Sequence, residues 1–159
     1  MRRLRDALLV VLACALTACA TTGAVAHAAV AQQNTAVVLG YMDTVFNKHE
    51  VEQAFKLYVG PEYRPHNPAI GEGRDAAMQA LIRYTHEQYP ELRQEVLRTV
   101  AQGDLVAVHS RYIRHAADRA SGTVQAAVDI YRLEHGKIVE HWDVAQDVPA
   151  QSLRDNLVF

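Results

Sequence analysis

Asp129 lies inside "AAVDIYRLEHGKIVEHWDV", residues 126–144, where the neighbouring residues read as an apolar strand. A carboxylate in such a place is costly unless it is paired, hydrogen-bonded or left in a wetted pocket. Burial against an aromatic ring raises a carboxyl's proton affinity, which is how a protein obtains a general acid/base near neutrality. His135-Gly136 reads as a two-residue hairpin turn, and an uninterrupted register from it sets Glu134 against Lys137, Leu133 against Ile138, Tyr131 against Glu140 and Asp129 against Trp142. Asp129 then stands beside the only tryptophan, on a face suited to meeting helices. Val128, Ile130 and Arg132 lie on the opposite face with Asp143, His141 and Val139, which makes His141 and Asp143 second-rank candidates. A one-residue change of register would reverse that ranking. The structural reading of Asp129 is a carboxylate bonded to a neighbouring strand, or turned to solvent by a bulge.

Other chemistry-bearing residues lie upstream. In "GDLVAVHSRYIRH", Leu105, Ala107, His109 and Arg111 share one strand face, and His109 reaches the region of Asp129 if that face looks inward. "YRPHNP" carries Tyr63, His66 and Asn67 in an extended segment stiffened by prolines, a arrangement suited to holding a carbonyl or enolate oxygen and equally to ordinary turn chemistry. A metal site would need His66, His109 and Asp129 to converge, and no His-Glu-x-x-His spacing supports one. A Gly-x-Ser-x-Gly elbow and a phosphate-loop lysine are also missing, so no metal or cofactor is expected.

The elements that must position these residues can be read from periodicity. Val37, Val38, Tyr41, Met42, Val45 and Phe46 recur at helical spacing from about Asn34, and a short helix follows from Glu50 to Tyr58, closed by Gly60-Pro61. "RDAAMQALIRYTHEQYP" returns to helical period and ends at Pro90. Beyond it come a strand, a Gly103-Asp104 turn, a second strand, and the hairpin about His135-Gly136. Helices first and an antiparallel meander afterwards indicate an α+β fold.

The chain has 159 residues, 50% of them hydrophobic and 21% charged, with a formal net charge of −2. One domain with a real core fits that length, and the scattered basic residues give no reason to expect nucleic acid. Residues 1–19 have the layout of a bacterial export signal: Arg2, Arg3 and Arg5, an apolar run from Ala7 to Leu16, then Leu16-Thr17-Ala18-Cys19 in the manner of a lipobox. Cleavage there would leave Cys19 lipidated, residues 20–33 as a flexible linker and 34–159 as the domain, anchored to the envelope by lipid alone. Ala26-His27-Ala28 offers an ordinary cleavage site before Ala29, and with it a periplasmic or secreted protein. Both cysteines, Cys14 and Cys19, belong to the signal, so the domain contains no thiol chemistry.

From Asn34 to about Pro149 the chain resembles the SnoaL-like polyketide cyclases, the aldol-condensation-catalysing branch of the nuclear transport factor 2 (NTF2)-like superfamily. "YMDTVFNKHEVEQAFKLYVGPEYRPHNP", "GDLVAVHSRY" and, most specifically, "VDIYRLEHGKIVEHWDV" carry the resemblance. It implies a cone of helices over a curved antiparallel sheet, a pocket within the cone, and a homodimer through the outer sheet face. It also implies that Asp129 acts as acid/base without metal or cofactor, that His109 stands nearby on an adjacent strand, and that His66 and Asn67 line the pocket mouth. The expected function is proton abstraction alpha to a carbonyl of a small hydrophobic or aromatic compound, leading to aldol cyclisation or isomerisation. Tyr131 and Trp142 would form the apolar wall. The alternative is a non-catalytic envelope lipoprotein that binds a small apolar ligand or a protein partner.

Overall fold

The computed structural model describes residues 25–121 and 124–148. The expected signal, Cys19 with its lipidation, residues 20–24 and the domain's end beyond Val148 lie outside the described residues. Helix α1 covers 25–46, α2 is Val51–Tyr58 and α3 is Gly73–Ile82, continued by a π-helical turn over Arg83–Gln88. The strands are β1 (Val59–Pro65), β2 (Arg93–Gln102), β3 (Leu105–Ile113), β4 (Val124–Glu134) and β5 (Lys137–Val148), with a short α4 (Ala116–Ser121) between β3 and β4. Among the described residues no helix is long and apolar enough to cross a membrane.

Two boundaries differ from the sequence reading. Residues 25–33, expected to be flexible linker, are helical and run straight into the amphipathic part of α1. Ala and Gln dominate that stretch and are good helix formers, so the Ala- and Gln-rich composition that resembles a tether also extends a helix. The extended segment expected at Tyr63-Arg64-Pro65 is the end of β1, which begins at Val59, runs through the expected Gly60-Pro61 closure, pairs in parallel with β5 and makes the sheet mixed. Its prolines are tolerated because β1 is an edge strand, in the sheet order β1-β5-β4-β3-β2.

One face of this sheet carries the helices. Val106, Val108 and Tyr112 of β3 and Ala127, Tyr131 and Leu133 of β4 bury against Val38, Tyr41, Met42 and Val45 of α1 and Phe55 of α2. The rings interlock edge to face, Tyr41 against both Phe55 and Tyr131 and Phe46 against Tyr112, with centroids 5.1–6.0 Å apart. Val100, Leu105, Val128, Ile130 and Val144 are exposed on the other face.

A bulge in β5 decides the site. His135 and Gly136 both have positive φ, 50° and 72°, the conformation a two-residue hairpin turn requires, and Glu134 pairs with Lys137 and Leu133 with Ile138 as expected. The next pair is Arg132 with Glu140, so Val139 is an extra residue, and the ladder continues as Tyr131–His141, Ile130–Trp142 and Asp129–Asp143. Ile138 and Val139 are both buried, with Val139 packed towards Gly60 of β1. The single insertion exchanges the faces of every later β5 residue.

Candidate functional site

Beyond the bulge, strand parity brings Asp129, Tyr131, His141 and Asp143 together on the helix-covered face. Asp129 is 4% exposed and His141 9%. His141 Nε2 lies 3.0 Å from Asp129 Oδ1, and the imidazole stacks on Tyr131 with centroids 4.6 Å apart and planes 15° from parallel. Tyr112 donates its hydroxyl to Asp129 Oδ2 at 3.3 Å. The carboxylate therefore has a partner on each oxygen, which is what allows it to be buried at all.

Asp143 directly opposes Asp129 across the strands. Two like charges in that relation repel, and Asn67 answers the second one, its Nδ2 lying 2.9 Å from each Asp143 oxygen. Asn67 is itself fixed by an Asx turn, with Ala69 N–H donating to its Oδ1 at 2.9 Å. The strand pair thus presents two carboxylates with different partners, a deep one on a histidine and a tyrosine and an outer one on an amide. Such separation of environments is how one site divides acid and base roles.

Five phenols converge on the deep carboxylate. Those of Tyr41, Tyr63, Tyr84, Tyr112 and Tyr131 are all held above the ordinary tyrosine range, by burial first, with the Asp129 charge contributing at each; Tyr84 is pushed up to about 12. Neutral phenols are what such an interior tolerates, and each carries one hydroxyl proton to donate, that of Tyr112 being given to Asp129.

The expected site residues separate into two groups. Asp129, Tyr131, Tyr63 and Asn67 lie on the inner side. His109 does not: it pairs with Val128 on the outer face, because Val106, Val108, Ser110 and Tyr112 are the inward set of β3. Trp142 is also outside, stacked on His66 with centroids 4.5 Å apart and planes 3° from parallel. His66 Nε2 meets Glu140 Oε2 at 2.7 Å on that same outer side. The wall beside Asp129 is therefore tyrosine, and the set His66, His109 and Asp129 is divided between the two faces.

His141 and Asp143 are the residues that sequence reasoning ranked too low. The signal for them was the doublet Ile138-Val139, two adjacent apolar residues that break strict alternation immediately after the turn. Two open clefts, of about 560 and 580 Å3, flank the start of α3 and the β1 edge. They are lined by Pro61, Glu72, Gly73 and Arg74, the larger also by Tyr63 and His66, and neither is lined by Asp129 or His141. The dyad sits beneath the surface, with Asn67 and Asp143 at its edge.

The family model for the SnoaL-like domain matches residues 38–141, more than half of the chain. The chain belongs to the SnoaL-like family. Among solved structures, a candidate SnoaL-like polyketide cyclase from Jannaschia sp. CCS1 is 22% identical, with a TM-score of 0.60 over 74% of this chain and 88% of its own. AclR, a candidate hydroxylase from Streptomyces galilaeus, is 23% identical, with a TM-score of 0.61 over 78% of this chain and 85% of its own. An NTF2-like protein of unknown function from Mesorhizobium loti is 23% identical, with a TM-score of 0.59 over 73% of this chain and 93% of its own. Curated proteins yield no match. At these identities the likeness shows the NTF2-like fold, and the differing descriptions illustrate that this fold does not select one reaction.

Proposed function

We propose that this SnoaL-like domain is a cofactor-independent acid/base enzyme that removes a proton alpha to a carbonyl of a small compound, the step that opens an aldol cyclisation or an isomerisation. The observation that carries the reading is the buried Asp129–His141 pair at 3.0 Å, on the face covered by the helices. The pair accepts the proton. His141 is the more accessible member and meets the carbon acid, while Asp129 orients the imidazole and balances its charge. The convergent tyrosine hydroxyls, with Asn67 at the edge, supply donors for the enolate oxygen. Polyketide cyclase descriptions among the structural neighbours support this choice of chemistry.

A second reading is favoured by one feature: both Asp129 oxygens are already satisfied and the open clefts lie elsewhere. A permanently paired carboxylate suits a binding protein, exported and anchored at Cys19 as the leader implies. The two readings separate on deuterium incorporation from solvent into 1,3-dicarbonyl and β,γ-unsaturated ketone probes. The enzyme reading expects incorporation well above buffer that falls at least about 100-fold in Asp129→Asn. Probe binding that survives Asp129→Asn, with no incorporation in either protein, would establish the binder.

A further inference from the structure

Gln94 lies on β2, two strands from Asp129, and is buried. Its Nε2 donates to Ser110 Oγ at 3.0 Å and to Tyr112 Oη at 2.9 Å, with Met42 Sδ at 3.8 Å. A side-chain amide carries two N–H donors and a phenol has one proton to give. Once Tyr112 Oη accepts from Gln94, that proton is directed to the remaining neighbour, Asp129 Oδ2 at 3.3 Å. Oδ2 is then an acceptor, and the proton shared with His141 is confined to the Oδ1···Nε2 line.

The amide is itself placed from the far side. Asn47, just past the end of α1, clamps the Gln94 backbone in both directions, accepting from Gln94 N–H at 2.9 Å and donating to Gln94 O at 3.2 Å. Bonds of fixed direction therefore run from the Gln94 amide to Tyr112 and from Tyr112 to Asp129, with Asn47 holding the Gln94 backbone at one end and the shared Asp129–His141 contact at the other. An ordinary packing residue in that place would not need to be polar at all.

We propose that Gln94 is a positioning residue that sets the direction of the Tyr112–Asp129 hydrogen bond, and through it the site of the mobile proton in the dyad. The proposal rests on the acid/base reading of that dyad but is tested apart from it. Other groups facing Asp129 are Tyr131 on its own strand, Tyr41 from α1, Tyr63 from β1, Tyr84 from the π-helical turn and Asp143 from β5. Among the described residues none of them donates a hydrogen bond to Asp129 Oδ2, so Tyr112 is the donor through which the amide acts.

Gln94→Glu replaces the donor by an acceptor and draws the Tyr112 proton away from Asp129. The measurement is the pH titration of the dyad, followed by the carboxyl 13C and imidazole 15N signals of Asp129 and His141, in the unsubstituted chain, Gln94→Glu, Tyr112→Phe and the double variant. The new charge acts in both backgrounds, whereas loss of the directed bond acts only where Tyr112 is present. Gln94→Glu is therefore expected to raise the dyad's proton affinity about tenfold more in the chain with Tyr112 than in Tyr112→Phe. Equal effects in the two backgrounds would overturn the proposal. Gln94→Met, which removes the donor and frees the Tyr112 hydroxyl to rotate without adding charge, serves if the carboxylate variant does not fold: a smaller shift in the same direction is expected with Tyr112 present and none in Tyr112→Phe, and no difference between the two backgrounds would overturn the proposal. Because no substrate is involved, a coupled titration can coexist with a failure of proton exchange, and exchange can survive without coupling.

Discussion

His141 and His109 sit on opposite faces of one sheet, and their surroundings differ accordingly. The first is buried, paired with a carboxylate and stacked on Tyr131. The second lies on the face that exposes Val128, Ile130 and Val144, the last 71% exposed, and its imidazole is held below its ordinary value by partial burial and by the Arg98 charge. The inner face is polar where it is most buried, with Asp129, Tyr112, Gln94 and Ser110 joined by hydrogen bonds. The outer face carries exposed apolar side chains, among them Val100, Val128, Ile130 and Val144. An inside with satisfied polar groups reads as chemistry, and an outside with exposed apolar groups reads as contact.

The most severe way to break the contrast is to delete Val139. Removing the extra residue would turn His141 and Asp143 outward and Trp142 and Val144 inward. Loss of the cooperative folding transition is expected, by circular dichroism during denaturant titration. A stable fold with normal dyad chemistry would mean that the bulge does not set the faces.

Next in size is alkaline pH. The five interior phenols have folded pKa values raised above the unfolded value of about 10, so the stability they contribute is fully present below that pH and is lost as pH rises from it towards the folded values. Phenolate absorbance of these five should therefore appear together with unfolding. Their gradual ionisation in a chain that stays folded would show the interior to be wet.

The histidines can be compared directly in stability. His141→Ala leaves a buried carboxyl oxygen without its hydrogen-bond partner and is expected to cost about 3 kcal/mol or more. His109→Ala should stay within about 0.5 kcal/mol. Asn67→Ala falls between the two, expected to cost about 1–3 kcal/mol by leaving Asp143 opposite Asp129 without its amide. Asn67→Ala in an Asp143→Asn background should recover part of that loss, and no recovery would remove the amide's proposed role.

Much of this arrangement was legible from residues alone. The helical spacing of Val38, Tyr41, Met42 and Val45, the His135-Gly136 turn and the inward direction of Asp129 follow from local rules of period and turn chemistry. The bulge is different in kind. Ile138 and Val139 are both buried because β1 packs alongside β5, and the ladder between those strands is itself irregular between Val59 and Arg64. A contact between strands more than seventy residues apart thus set the register that local alternation was asked to give. The orientation of β3 was ambiguous for a related reason, since Leu105 and Ala107 are as apolar as Val106 and Val108. Gln94 and Tyr112 could not be singled out, because their importance lies in a chain of bonds crossing three strands.

Proton exchange with the two histidines replaced in turn bears most directly on the whole account. Deuterium incorporation into the carbonyl probes should fall at least about 100-fold in His141→Ala, as in Asp129→Asn, and remain within about twofold of the unsubstituted chain in His109→Ala. Exchange that survives His141→Ala and disappears in His109→Ala would contradict the inner-face dyad and return the chemistry to the outer side of the sheet.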